Sequence, residues 1–350
     1  MAQNEWKKHD VFLEFEGIYG IARVWINGAL AAVNRNGYMG FSVDLKPWIS
    51  YEHENIIRID VDNSKQPNSR WYSGSGIYRD VNLWTGKDVY ISHDKLRITT
   101  LSVNDDMAVI EVCAQLKNII GHGLEAECLI EIKKDGQKTA SDTQRVVFRS
   151  EQMRVQIPIE HPKKWSPKQP ALYECHITTK FDDKICDEAV SNFGIRVLAL
   201  DPVRGLQING ETVKLRGTCI HHDNGVIGAE TFKEAEWYRC KRLKEAGFNA
   251  IRSAHHPMSR AMLDACDHIG MLVMDELTDM WDKEKNTYDF SDIFEDEYNQ
   301  WINHMVEKDY NHPSVIIYSV GNEIQEAGTK QGAWINRMLC NKFHELDNTR

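Results

Sequence analysis

The last third of the chain carries a recurring set of residues suited to chemistry: His221-His222-Asp223, His255-His256, Asp275-Glu276 and Asn322-Glu323. Each group stands at or just past the end of a short apolar run. Carboxyls beside imidazoles can move protons, a carboxamide can orient a hydroxylated ligand, and His/Asp groups can hold a metal ion. Which of these applies depends on the elements that bring the groups together.

Those elements alternate. Val213 to Gly217, Asn249 to Arg252, Met271 to Asp275 and Val315 to Ser319 read as strands. Between and after them, Phe232 to Ala246, Ser259 to Ile269, Ser291 (as the cap) to Val306 and Trp334 to Leu346 read as helices, with Gly247 and Gly270 as stops. Strands that are apolar throughout and alternate with helices predict a parallel sheet covered by helices, as in a βα-barrel. Barrel active sites are assembled at the carboxyl ends of the strands, and all four polar groups fall there.

The preceding segments have a different period. From Val11 to about Trp84 apolar and polar residues alternate, with Val11, Leu13 and Phe15 on one face and Phe12, Glu14 and Glu16 on the other. Asn27-Gly28 after Ala22, Val24 and Ile26 predicts a type I′ hairpin. From about Val89 to Ala199 short strands, among them Ala108 to Leu116, Ala126 to Lys133 and Arg145 to Phe148, are separated by turns at Asn104-Asp105, Asp135-Gly136 and Asp182-Asp183. That rhythm predicts an antiparallel sandwich with no chemistry of its own. Three domains follow: 1–88, 89–200 and 201–350.

Composition narrows the function classes. Forty-two basic against 52 acidic residues give a net charge of −10, which disfavours binding to a nucleic-acid backbone. No run approaches the roughly 20 apolar residues of a bilayer span, so no membrane partner is expected. Eight scattered cysteines without a CxxC pair fit a reduced, cytoplasmic compartment, and Met1 to Asp10 lacks the apolar core of a secretory signal.

Longer motifs carry a family resemblance. Asn249-Ala-Ile-Arg252-Ser-Ala-His255-His256-Pro257, Cys266 through Met274-Asp275-Glu276, and Asn311-His312-Pro313 through Gly321-Asn322-Glu323 resemble the catalytic domain of family 2 glycoside hydrolases, the β-galactosidases, β-glucuronidases and β-mannosidases. Leu215-Arg216-Gly217 through His221-His222-Asp223 is similar to the first barrel strand of that family, and Phe15 to Tyr19 with Asp62 to Arg79 to its sugar-binding sandwich. The implied fold is a partial jelly-roll-like sugar-binding sandwich, an immunoglobulin-like β-sandwich and the first half of a (β/α)8 TIM barrel.

The resemblance implies a retaining exo-β-glycosidase, most like a β-galactosidase, acting on a β-linked oligosaccharide or glycoside without a cofactor. Such enzymes use two carboxyls about 5 Å apart. Glu323 matches the acid/base, whose pKa a partly desolvated pocket should raise. Asn322 is implied as a partner of the sugar 2-hydroxyl, His221 and His255 as lining the sugar subsite, and Arg252 as support for the nucleophile. His222, His256 and Asp275 are secondary candidates, Trp281 a candidate aromatic platform, and Asn68, Ser69 and Arg70 candidates to reach over the barrel mouth. Leu277 to Asp282 departs from the magnesium site of some β-galactosidases, so no such site is expected.

The family nucleophile is a Glu at the end of a seventh strand, and only four βα units fit after Val213 where a barrel has eight. The nucleophile is therefore expected beyond Arg350, with this chain inactive alone and open to self-association through its unpaired edges. The alternatives are a β-glucuronidase or β-mannosidase, a non-catalytic carbohydrate-binding fragment, or a metal-dependent barrel hydrolase using His221, His222, Asp223, His255 and His256. Against the last, His-His-Asp replaces the usual His-x-His.

Overall fold

A computed structural model describes residue 2 and residues 4–121, 125–147 and 151–350. The first segment forms two three-stranded sheets, Phe41–Asp44, His9–Phe15, Val81–Lys87 and Ala29–Asn34, Ile21–Ile26, Ile57–Asp62, each in that spatial order. Val11, Phe15, Ala22, Val24 and Ile26 are buried between them. Asn27 and Gly28 both take positive φ, 52° and 86°, as the type I′ turn requires. The alternation in the first strand is not a simple in-and-out pattern. Glu14, on the polar face, is only 5% exposed, because that face is covered by His93 of the second domain and Arg260 of the third.

The second segment is a sandwich of three strands, Gln152–Glu160, Met107–Asn118, Val89–Val103, on four, Gln137–Val147, Glu125–Lys134, Tyr173–Phe181, Lys184–Phe193. Ala108, Ile110, Val112, Ala114 and Leu116 face Ala126, Cys128, Ile130 and Ile132 across one apolar core, the period-two solution for packed antiparallel sheets. Several strands run longer than their apolar cores predict. Of the strand read at Arg145 to Phe148, Phe148 lies outside the described residues.

A small three-stranded meander, Leu198–Asp201, Gly205–Ile208 and Glu211–Thr212, then leads into the third domain. Four parallel strands follow in sequential order: β1 (Gly217–Ile220), β2 (Ala250–Ser253), β3 (Leu272–Glu276) and β4 (Val315–Ser319). They are followed by helices α1 (Lys233–Glu245), α2 (Arg260–Ile269), α3 (Ser291–Asp309) and α4 (Lys330–Leu346). This is half of a barrel. The first strand lies four residues later than the apolar pattern suggests, because Val213 packs against the meander core with Leu198 and Leu206.

Helix ends follow local chemistry. Ser259 Oγ accepts from Met262 N at 3.2 Å and Gly270 closes α2 with φ 77°. Ser291 is not a cap but the first residue of α3, and its hydroxyl donates to Asp289. Helix α4 starts at Lys330, capped by Thr329, rather than at Trp334. On α1, Tyr238 is exposed while Glu236 and Cys240 are buried. Glu236 is held inside by Asn224 and Arg239.

The domains are locked by charge. Arg260 at the start of α2 pairs with Asp94 of the second domain and lies 3.6 Å from Glu14 and 3.8 Å from Glu16 of the first. One partly buried guanidinium thus fixes both sandwiches over the barrel's second unit, and the first sandwich ends up above the strand ends.

Candidate active site

The ends of β2 and β3 create the floor. Successive residues of a strand point to opposite sides, and Asp275 and Glu276 show the consequence. Asp275 turns away: it accepts from Met258 N at 2.9 Å and pairs with Lys308 at 3.2 Å. Its place among the candidates is corrected, since it ties α3 to the sheet. Glu276 turns inward, and each of its oxygens is taken. Arg252 Nε and Nη2 donate to Oε2 at 3.0 and 2.5 Å, Ser319 Oγ donates to the same oxygen at 2.6 Å, and His255 Nδ1 lies 2.7 Å from Oε1. The side chain is fully buried. A carboxylate held by this many donors is fixed in one orientation and orients its neighbours in turn.

A second carboxylate, Asp279, sits on the loop after β3 with a side chain 1% exposed. It accepts from Arg70 Nε at 3.2 Å, Arg70 Nη2 at 2.7 Å, Asn322 Nδ2 at 2.8 Å and Lys285 Nζ at 2.9 Å. Burial pushes its pKa up, but hydrogen bonds from Arg70, Asn322 and Lys285 outweigh that and hold it at about 2. Asn322 is thereby clamped from both sides, because its Oδ1 also accepts from Arg252 Nη2 at 2.9 Å.

Glu323 stands at the open rim. Its φ of 43° places it in the left-handed region, a costly conformation for a residue with a Cβ and one that collects at functional sites. Its side chain is 68% exposed, and Oε2 accepts from Arg70 Nη1 at 2.9 Å. The expected upward pKa shift is not found. The Arg70 hydrogen bond and charge hold the Glu323 carboxyl below its ordinary value, outweighing the smaller upward push of desolvation at this exposed rim.

The histidines divide into two pairs. His221 and His255 face each other with ring centroids 5.4 Å apart, both beside the Trp71 ring at 5.0 and 5.3 Å. His221 Nδ1 is buried without a partner, and burial followed by the His255 charge lowers its pKa. His222 and His256 belong to the scaffold. His222 Nε2 lies 3.0 Å from the His256 carbonyl and Nδ1 3.3 Å from Arg79, while His256 stacks on Tyr38 at 4.1 Å. Both are corrected from candidates to structural residues, because both are buried, the His222 nitrogens meet Arg79 and a backbone carbonyl, and the His256 ring is stacked on Tyr38. Trp281 is likewise corrected: it is 5% exposed, donates to Val320 O at 2.8 Å and packs in the α3–α4 core.

From the first sandwich, only Arg70 of the three named residues reaches the barrel carboxylates. Asn68 accepts from Tyr19 and Ser69 donates to the Trp71 carbonyl. Asp279, Lys285 and Trp71 were missed as site residues. Trp71 adjoins Arg70 in a quoted motif, which is a usable signal, whereas Asp279 and Lys285 lie on an irregular loop with no periodicity to mark them. The metal-ligand reading of the five His/Asp residues fails on geometry, because among the described residues these five do not converge as a metal-type group and both His222 nitrogens face scaffold partners. The described residues that do converge as metal-type groups are elsewhere: Glu14, His93 and Asp94, and Asp264, Asp267 and His312. In the first of these Arg260 already supplies the counter-charge.

Comparison with known proteins finds matches along nearly the whole chain. Residues 1–88 match the glycosyl hydrolase 2 galactose-binding domain-like family, 89–196 the glycosyl hydrolases family 2 domain, and 203–350 the TIM barrel domain of the same family. A β-galactosidase of Bacteroides ovatus is 34% identical over 325 residues, covering 90% of this chain and 37% of that protein. A β-glucuronidase of Bacteroides fragilis is 27% identical, covering 95% of this chain and 50% of that protein. A crystal structure of a glycosyl hydrolase family 2 member from Bacteroides cellulosilyticus superposes with a TM-score of 0.96 at 36% identity, over all of this chain and 45% of the other. The chain thus spans half or less of these relatives' lengths.

Proposed function

The chain belongs to glycosyl hydrolase family 2, and from that premise we propose that it carries the acid/base half of a retaining exo-β-glycosidase site, of β-galactosidase type. The observation that carries this reading is the exposed Glu323 carboxyl at the strand-end rim, beside a clamped Asn322. In the proposed mechanism Glu323 protonates the departing glycosidic oxygen and later deprotonates water, while a second carboxylate attacks the anomeric carbon. Asn322 offers its remaining amide hydrogen to the 2-hydroxyl. His221 and His255 line the terminal sugar, and Trp71 supplies an apolar face.

Neither Glu276 nor Asp279 suits the nucleophile, because both are buried and saturated with donors. We therefore assign the nucleophile to the barrel units that these 350 residues do not include. Arg252, reaching across the floor, is placed to steady it. The two-carboxyl reaction calls for no cofactor.

Glu323 must be protonated to act as an acid, yet Arg70 favours its carboxylate. Substrate and the nucleophile's negative charge would have to shift that balance when they arrive.

The test is hydrolysis of aryl β-galactosides, β-glucuronides and β-mannosides. The 350-residue chain alone should give negligible turnover. Extended by the remaining barrel units, it should favour the galactoside and lose about 10²- to 10⁴-fold in turnover of substrates needing proton assistance upon Glu323→Gln. Robust turnover by the short chain, abolished by Glu323→Gln, would refute the split assignment.

A further inference from the structure

The backbone of Glu323 is held from another loop. Lys285, on the loop after β3, has a side chain 7% exposed. Its ammonium donates to three oxygens, the Asp279 carbonyl at 2.6 Å, Asp279 Oδ1 at 2.9 Å and the Asn322 carbonyl at 2.5 Å, so its three donors meet three acceptors. The Asn322 carbonyl belongs to the peptide group that ends in the Glu323 nitrogen. Because a peptide group is planar, the bond that fixes this carbonyl also fixes the nitrogen about which the Glu323 φ is set. That φ is 43°, and a residue with a Cβ left to itself would relax from there to a cheaper conformation.

The lysine stands on a firm base. Its own backbone N and that of Asn286 donate to Asp289 Oδ2 at 2.7 and 2.9 Å, and Asp289 is buried. Asp279 supplies the counter-charge that lets the ammonium be buried. Further bonds join the loops after β3 and β4: Trp281 Nε1 donates to the Val320 carbonyl at 2.8 Å, Lys283 N to Glu326 Oε1 at 2.8 Å, and Gln325 Nε2 to the Glu284 carbonyl at 2.9 Å. These three hold the loops together on their own. Among the four cross-loop contacts, that of Lys285 is the one that reaches the peptide group next to Glu323.

We infer that Lys285 is a positioning residue for proton donation: through the Asn322–Glu323 peptide it sets the backbone that aims the Glu323 carboxyl. The inference rests on the acid/base reading of Glu323 and goes beyond it. It assigns a role in the reaction to a side chain whose hydrogen bonds go to Asp279 and to the backbone rather than to the carboxyl that reacts.

Two measurements test it. In the 350-residue chain with carbon-labelled glutamate, the Glu323 Cα signal is identified by its absence in Glu323→Gln. That signal should shift in Lys285→Met, which keeps the side-chain stem and removes the ammonium, and stay in place in Lys168→Met, at an exposed lysine of the second domain. In the chain extended by the remaining barrel units, Lys285→Met should cost methyl β-galactoside about tenfold more turnover than dinitrophenyl β-galactoside, because only the first needs the proton. A merely structural role would lower both alike. Lys285→Arg keeps the charge but replaces three converging donors by a planar fork. It should show the same split more weakly, and it decides the matter if Lys285→Met does not fold. An unmoved Glu323 signal, or equal losses for the two glycosides, overturns the inference and spares the acid/base reading so long as Glu323→Gln still discriminates between them. Loss of that discrimination in Glu323→Gln overturns both.

Discussion

The second sandwich and the barrel mouth are built from opposite materials. In the sandwich, Ile110, Val112, Cys128, Ile130 and Ile132 fill an apolar core, and charged residues of its outer strands such as Lys138 and Arg145 face water. At the barrel mouth, Glu276, Asp279 and Asn322 are equally buried but polar, and each is held by two or more partners. Burying charge is costly unless it is paired. The chain accepts that cost at the strand ends, where a site needs fixed charges, and avoids it in the domain that serves as a spacer.

Changes at four positions would break or sharpen this contrast. The largest effect on stability should come from Asp279→Ala, which leaves Arg70 and Lys285 without their buried anion and should cost about 3–5 kcal/mol, read by denaturant unfolding of the barrel. Ile130→Ala in the sandwich core should cost about 2–5 kcal/mol through lost burial and a cavity, yet leave the Glu323 titration untouched. Equal disturbance of Glu323 by both changes would erase the distinction between the regions.

The pH response should separate them too. Asp279 has a folded pKa of about 2, below its ordinary 3.8. A depressed carboxyl contributes stability above its unfolded value, and that contribution is lost as pH falls through the folded one. Acid unfolding of the barrel should therefore have a component between about pH 4 and pH 2 that Asp279→Asn removes, followed by intrinsic tryptophan fluorescence.

Smaller still is Arg70→Met. It should raise the Glu323 carboxyl pKa toward or above its ordinary value, observed by carbon-detected titration of labelled glutamate, because the first cause of its depression is that arginine. Smallest of all, Lys138→Ala at the half-exposed Lys138–Glu131 pair of the sandwich should change stability by no more than about 1 kcal/mol.

Much of this was readable from residue order. Strands β3 and β4 announce themselves by apolar runs that lead into Glu276 and Asn322, and the Asn27-Gly28 turn by its pair of residues tolerant of positive φ. What escaped the sequence depends on direction and on distance along the chain. Asp275 and Glu276 are adjacent and chemically alike, and only strand phase decides which faces the site. The pairing of Arg70 with Glu323 spans 253 residues, so its depressing effect on the carboxyl could not be seen locally, and the opposite shift was expected. Trp281 was ambiguous because a loop tryptophan can serve packing or a ligand, and here α3 and α4 close over it.

The central claim is proton donation by Glu323. It is tested most directly by the leaving-group dependence of Glu323→Gln in the chain extended by the remaining barrel units. The account predicts that glycosides with poor leaving groups, such as methyl β-galactoside, lose turnover by about 10²-fold or more, whereas dinitrophenyl β-galactoside, whose leaving group needs no proton, is cleaved at nearly the original glycosylation rate. An equal loss for both substrates would contradict it.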